Sequence, residues 1–228
     1  MKVVINCILA LCVLGLAWLC YGSIMGPINF ENAKKERELA IKESLINIRT
    51  AQEQYRNILK GAYCTDLDSL AAFVATAQLP IVKKEGELTD DQLENGMTES
   101  KAVAMIEKAR KTNKWNEVEK AGLMGFSRDT IFVSLKDSLF GKDYDPATLA
   151  YVPFGNGAKF ELNTSVDSTR SGTPLYLFEA QVPYEIYLSD LDKQEVINQR
   201  DYDEKTGRYP GMKVGDDEEP HNNAGNWE

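Results

Sequence analysis

Nucleophilic and metal chemistry usually draw on histidine and cysteine, and this chain has one of the first and four of the second. The histidine, His221, stands in the polar stretch "DDEEPHNNAGNWE". A Ser/His/Asp or Cys/His mechanism needs a base oriented by a third group, which a flexible polar tail supplies poorly. Cys7, Cys12 and Cys20 lie in an apolar run near the amino terminus, leaving Cys64 alone in the remainder. No intramolecular disulfide can therefore staple the body, and Cys/His zinc spacing is absent. Cys64 reads as a buried or free thiol; in an oxidising compartment it must be buried or pair between chains. The "GNG" at residues 155–157 reads as a hairpin turn, not a phosphate loop. The chain carries 35 Asp and Glu, yet no spacing singles out the pair that a glycosidase requires. The expectation is a non-catalytic protein with no cofactor-binding and no metal residues.

Aromatic residues offer binding surface instead of reactivity. Tyr151, Phe154, Tyr176, Phe178, Tyr184 and Tyr187 could line a groove, but alternation places most of them in a sheet core. Tyr187 falls on the opposite strand face from Tyr184, Ile186 and Leu188, so it is expected to be exposed and is an interface candidate.

The elements that must position these residues begin with an anchor. Residues 3–26 are almost unbroken apolar sequence, roughly 36 Å as a helix, against a hydrocarbon core of roughly 30 Å. A cleaved signal peptide would end in small residues, whereas Trp18, Leu19 and Tyr21 are bulky. Trp18 and Leu19 likewise argue against a lipoprotein site at Cys20. The reading is an uncleaved, single-pass signal anchor. Lys34, Lys35, Arg37 and Lys42 follow it, and a strict positive-inside count would keep them cytoplasmic. Gly22 and Gly26 form one GxxxG pair, weak evidence for helix association. The net charge of −9 excludes a concentrated basic surface for nucleic acid.

Behind the anchor, Ile41, Leu45, Ile48, Gln52, Tyr55 and Leu59 recur at spacings of three and four, one seam of a helix that Gly61 should stop. Ile46 and Ile58 widen the seam, which suits docking on a globular body, and Ile41, Leu45, Ile48, Tyr55 and Leu59 join Tyr187 as interface candidates. Asp66 or Asp68 should cap a second helix that Pro80 ends. Thr89 to Gln92 has the form of a capping box, and Ala102, Val103, Ile106 and Ala109 make a helical apolar face. From Asp129 the period changes to two, with strands expected around Ile131–Leu135, Ala158–Leu162, Tyr176–Val182 and, after Pro183, Tyr184–Leu188. Short strands this close in sequence pair antiparallel. The organisation expected is anchor 1–26, amphipathic stem helix 27–63, α+β body 64–200 with inserted short helices, and an acidic, extended or disordered tail 201–228.

A span running into the helical "IRTAQEQY", then "GAYCTDLDSL", then an antiparallel sheet resembles the type IV pilin and pseudopilin plan. The ending "NNAGNWE" resembles the tail of major pseudopilins, where aspartates of a nearby loop bind calcium. Here Asp201, Asp203 and Glu204 read as part of a solvated acidic tail, and no cofactor is expected. The stretches "SRDTIFVSLKDSLF", "YVPF" and "SDLDKQEVIN" resemble a family of single-span envelope proteins of Bacteroides-type bacteria. These resemblances imply an α+β fold in which the stem packs on a small antiparallel sheet, with the body on the periplasmic side of a bacterial inner membrane. The function expected is a structural or assembly subunit of a membrane-associated complex, with other envelope proteins or a second copy as partners. The alternative is an anchored receptor that binds a peptide or glycan at the sheet; a carboxylate-dependent hydrolase ranks third.

Overall fold

The structure, a computed structural model, describes residues 2–59, 61–169, 171–220 and 222–228, with side chains for Asn6 and from residue 9 onward. His221 lies outside the described residues, as does the side chain of Cys7. The protein is α+β, with one long helix and two small antiparallel sheets.

Helix α1 runs unbroken over Lys2–Leu59, about 87 Å at the α-helical rise. The most apolar 18-residue window of its described part has a mean hydropathy of 1.9 and is not buried within the protein, so the helix is long and apolar enough to cross a membrane. Pro27 lies inside it. Its ring removes the N–H that would bond to the Ser23 carbonyl, yet the helix continues. The boundary expected at 26/27 is therefore one of composition, not of backbone. The helix ends at Leu59, just before a bend at Gly61.

Two compact units form, Met1–Ala75 with Asp143–Glu228, and Thr76–Lys142. In the first, β3 (Glu161–Ser168), β4 (Pro174–Pro183) and β5 (Gly211–Asp216) make an antiparallel sheet in the order β3-β4-β5. Phe178, Ala180 and Val182 alternate along the central strand and are fully buried, on a sheet whose β4 and β5 lie against α1. Helix α2 (Leu67–Thr76) starts where the Asp66 carboxylate accepts from the Ser69 amide at 2.8 Å. Tyr63, in the turn after α1, stacks edge-on against Phe178 with ring centroids 4.7 Å apart. The Asp192 carboxylate caps α8 (Lys193–Lys205) through the Gln194 and Glu195 amides.

Two expectations fail in this unit. Tyr184–Leu188 is not a strand: Tyr184–Tyr187 form one helical turn, α7, and the Leu188 amide donates to the Tyr184 carbonyl at 2.9 Å. The helical period turns residues 184, 187 and 188 to the same side, so all three are buried. The described residues of the tail are part of the fold, extended only where they form β5. They supply the end of α8 and then β5, whose Met212 and Val214 are core residues. Gly215 lets β5 close on β4: its φ is +76°, and a Cβ there would collide with the Phe178 carbonyl. Gly225 then bridges Val214, and the Arg49 guanidinium donates to the Asn223 carbonyl and the Glu228 carboxylate.

The second unit has its own core of Ala102, Ile106, Ala109, Val118, Leu123 and Phe126. It is supplied by α4 (Glu99–Thr112), α5 (Asn116–Lys120) and the turn after α5, while α3 (Asp90–Glu94) has no buried residue. The capping box forms as the sequence implies: Thr89 Oγ1 accepts from the Gln92 amide while Gln92 Oε1 accepts from the Thr89 amide. Strand β1 (Gln78–Glu85), where periodicity marks no strand, pairs along its whole length with β2 (Ser127–Ser134), and α6 (Leu135–Leu139) follows. Pro80 therefore lies within a strand, and α2 has already ended at Thr76. Gly86, with φ +68°, turns the chain out of β1 against the Gly125 backbone.

Candidate functional site

The stem seam is a core, not an open surface. Ile41, Leu45 and Ile48 are fully buried in the first unit. Tyr55 is half-buried against Phe73, ring centroids 4.9 Å apart, and Leu59 is exposed. Gln52, also a seam position, is wholly buried and bonds twice to Cys64: its Nε2 donates to the carbonyl and its Oε1 accepts from the amide, both at 2.8 Å. Cys64 is buried and its thiol donates to the Asp66 carbonyl at 3.2 Å. Tyr187, expected outside, is fully buried because the helical turn carries it inward. Its hydroxyl has no hydrogen-bond partner among the described residues. Burial, and then the Glu38 charge, pushes this phenol well above its ordinary range. The aromatic set divides: Phe178 and Tyr184 are core, Tyr176 is half-buried, and Tyr151 and Phe154 are exposed.

A cleft of about 650 Å³ opens beside Tyr184, walled by Lys34 and Glu38 of α1, Gln199 and Asp203 of α8, the residues entering β5, and Trp227. Asp203 Oδ2 accepts from the Tyr184 hydroxyl at 2.8 Å and from Gln199 Nε2 at 3.0 Å. Burial, reinforced by that hydrogen bond to Asp203, raises the Tyr184 phenol far above its usual value. Lys34 is 8% exposed. Its nearest carboxylates, Glu38 and Glu31, stand 3.9 and 4.0 Å away, and its ammonium lies 5.6 Å from the Tyr184 ring centroid. Burial raises the Glu38 carboxyl, with the Lys34 charge opposing. The indole N–H of Trp227 is buried with no partner among the described residues. At the outer rim of this helical layer, Arg37 makes a two-pronged ion pair with Asp190, whose carboxyl it holds down at about 2.

Three carboxylates, Glu179, Asp216 and Asp217, bring ligand atoms within 4.8 Å of one another. Lys213 already answers two of them, donating to Glu179 at 2.8 Å and Asp216 at 3.3 Å. Burial works against the Lys213 charge, but the hydrogen bonds and charges of Glu179 and Asp216 together outweigh it and hold the ammonium above its ordinary range. The group is thus an internal ion-pair network of β4 and β5.

In the second unit the β1–β2 ribbon leaves apolar side chains in water on both faces. Ile81 pairs with Ile131 on one face, while Val82 and Phe132 project from the other, and all four are exposed, Phe132 by 67%. Alternation marks Ile131 and its neighbours as strand residues, but it carries no sign that their sheet has only two strands.

Comparisons with protein-family models, with curated proteins and with solved structures return no match to this chain.

Proposed function

We propose that this protein is a membrane-anchored, non-catalytic subunit of an envelope assembly. The apolar half of α1 holds it in a bacterial inner membrane, and the body lies on the periplasmic side. The amphipathic half of α1 lies against β4 and β5 of the three-stranded sheet, which supports the reading of the stem as scaffold.

The observation that carries the proposal is the β1–β2 ribbon. A two-stranded sheet is marginal in water unless its faces are covered, and here Ile81, Val82, Ile131 and Phe132 are all exposed. Covering side chains already half-exposed is worth roughly 1 kcal/mol each, about half the value of full burial. The two edges also differ. The β1 edge carries Pro80, Lys83 and Lys84, devices that discourage strand addition, whereas "TIFV" in β2 has none. Charge adds support: the 76–142 segment holds eleven basic and eleven acidic residues, so the net −9 resides in the rest of the chain. A neutral, apolar-faced insert in an acidic protein suits contact with another envelope protein or a second copy.

The test is photo-crosslinking in living cells from a reactive residue placed at Phe132, with Tyr202 as an exposed position on the other unit. A discrete adduct from position 132 and none from 202 is expected. Absence of any adduct from 132 would defeat the assembly reading. Intact-mass measurement checks that the anchor is retained. For orientation, Lys114→Cys should label in cells whose inner membrane is intact; labelling only after that membrane is broken would reverse the assignment.

A further inference from the structure

The cleft beside Tyr184 contains two full charges that the protein itself leaves partly unanswered. Lys34 is nine-tenths buried, yet among the described residues no acceptor stands within hydrogen-bonding distance of its ammonium; Glu38 and Glu31 are at 3.9 and 4.0 Å. Asp203 is equally buried and uses only Oδ2, for Tyr184 and Gln199. Its Oδ1 accepts nothing from the described residues. Tyr184 separates the two groups, with Lys34 over its ring at 5.6 Å and Asp203 on its hydroxyl at 2.8 Å. Held by this aromatic spacer, the ammonium and the carboxylate do not pair with each other. Neither Lys34 Nζ nor Asp203 Oδ1 is among the wholly buried atoms left without a partner, so both reach the water of the cleft, and a ligand that bonds to them takes that water's place. The volume, about 650 Å³, lies in the range of small-molecule sites.

We propose that this cleft binds a small zwitterion, a free amino acid or a short unblocked peptide, with its carboxylate on Lys34 and its ammonium on Asp203. Charge-assisted hydrogen bonds at both ends give selectivity for molecules carrying both groups. Trp227 on the wall is a built-in optical reporter. The proposal is independent of the assembly role and involves the first unit alone.

The experiment uses the full chain in mild detergent with Trp18→Phe and Trp115→Phe, so that Trp227 is the one remaining tryptophan of three. The probes are L-alanine, trialanine, N-acetyl-trialanine and trialanine amide, read by tryptophan fluorescence and by calorimetry. The expected result is saturable binding of alanine or trialanine, with each blocked peptide weaker than trialanine by roughly tenfold or more where the peptide is the ligand. Binding of alanine but not trialanine identifies the free amino acid; the reverse identifies the peptide. Lys34→Met should abolish the demand for a free carboxylate. Asp203→Asn keeps an oxygen for Tyr184 and Gln199 and should abolish the demand for a free amine. No saturable response to any probe overturns the proposal, as does equal binding of blocked and unblocked peptides. Because this comparison, made with N-acetyl-alanine and alanine amide where free alanine is the ligand, uses unaltered cleft residues, it decides the matter even if a cleft variant fails to fold.

Discussion

Replacing Gln52 with leucine separates two accounts of the stem. If position 52 were simply one more place on an apolar seam, leucine would improve the packing. The glutamine instead answers both backbone groups of Cys64 with its side chain, and among the described residues those groups have no other partner. Leucine has a similar volume but leaves a buried N–H and a buried C=O unmet, at about 1–3 kcal/mol each. Leucine's own burial offsets part of that, for a net loss of about 2–4 kcal/mol localised in the turn after α1. Cys64 is itself the reporter, being buried and the lone cysteine outside the apolar run. With Cys7, Cys12 and Cys20 changed to alanine, the rate at which Cys64 reacts with a maleimide measures local opening. Gln52→Leu should raise that rate about 30- to 900-fold, since about 1.4 kcal/mol is a factor of ten. Glu53→Gln, on the exposed side of the same turn, should leave it unchanged. Unchanged or slower labelling in Gln52→Leu would refute the reasoning.

Further outcomes follow from the same contacts. Ile48→Ala should lower stability by about 2–5 kcal/mol, because the side chain is fully buried, while Leu59→Ala should stay within about 0.5 kcal/mol; thermal unfolding and limited proteolysis of the full chain distinguish them. Gly215→Ala should cost about 1–3 kcal/mol from its positive φ alone, with the clash against Phe178 adding to it, measured by the same melt. The Arg37–Asp190 pair gives a pH dependence whose sign is fixed by the lowered carboxyl: its contribution is present above the ordinary Asp value of 3.8 and is lost as pH falls towards about 2. Melting curves should therefore show wild type losing more stability over that interval than Asp190→Asn, by a small margin because the aspartate is exposed.

Local period and local capping are legible in the sequence. Ile41, Leu45 and Ile48 keep helical spacing through a run of good helix formers, and they are buried as that spacing requires. Thr89 with Gln92 and Asp66 with Ser69 are caps whose partners lie within three residues. The failures needed distant partners. "GMKVGD" has two glycines and two large apolar residues in six positions, and it becomes β5 through pairing with a strand some thirty residues earlier. "QLPIVKKE" carries a proline and two lysines, which read against a strand until β2 supplies the other half of the ladder. Around Tyr187 the alternation of large side chains is real but four residues long, too short to tell a strand from one turn of helix. The cleft is beyond the reach of sequence for the same reason. Lys34 reads as part of a charged cluster beside the anchor and Asp203 as part of a solvated tail, and only the docking of α8 near α1 makes them face one space.

The unbroken course of α1 has a mechanical consequence. A helix interrupted at Pro27 would let the body swivel on the apolar run, but a continuous one carries Ile41, Leu45 and Ile48 of the core on the same rod as that run. From the middle of that run to Ile48 is about 50 Å along the axis. With the apolar half in a bilayer, a tilt of about 20°, typical of spanning helices, carries Ile48 sideways by about 17 Å. So placed, the rod would be a lever with its fulcrum in the lipid. A bilayer that thins or thickens would change that tilt, and so sweep the body across the membrane surface, without altering a single contact inside the core.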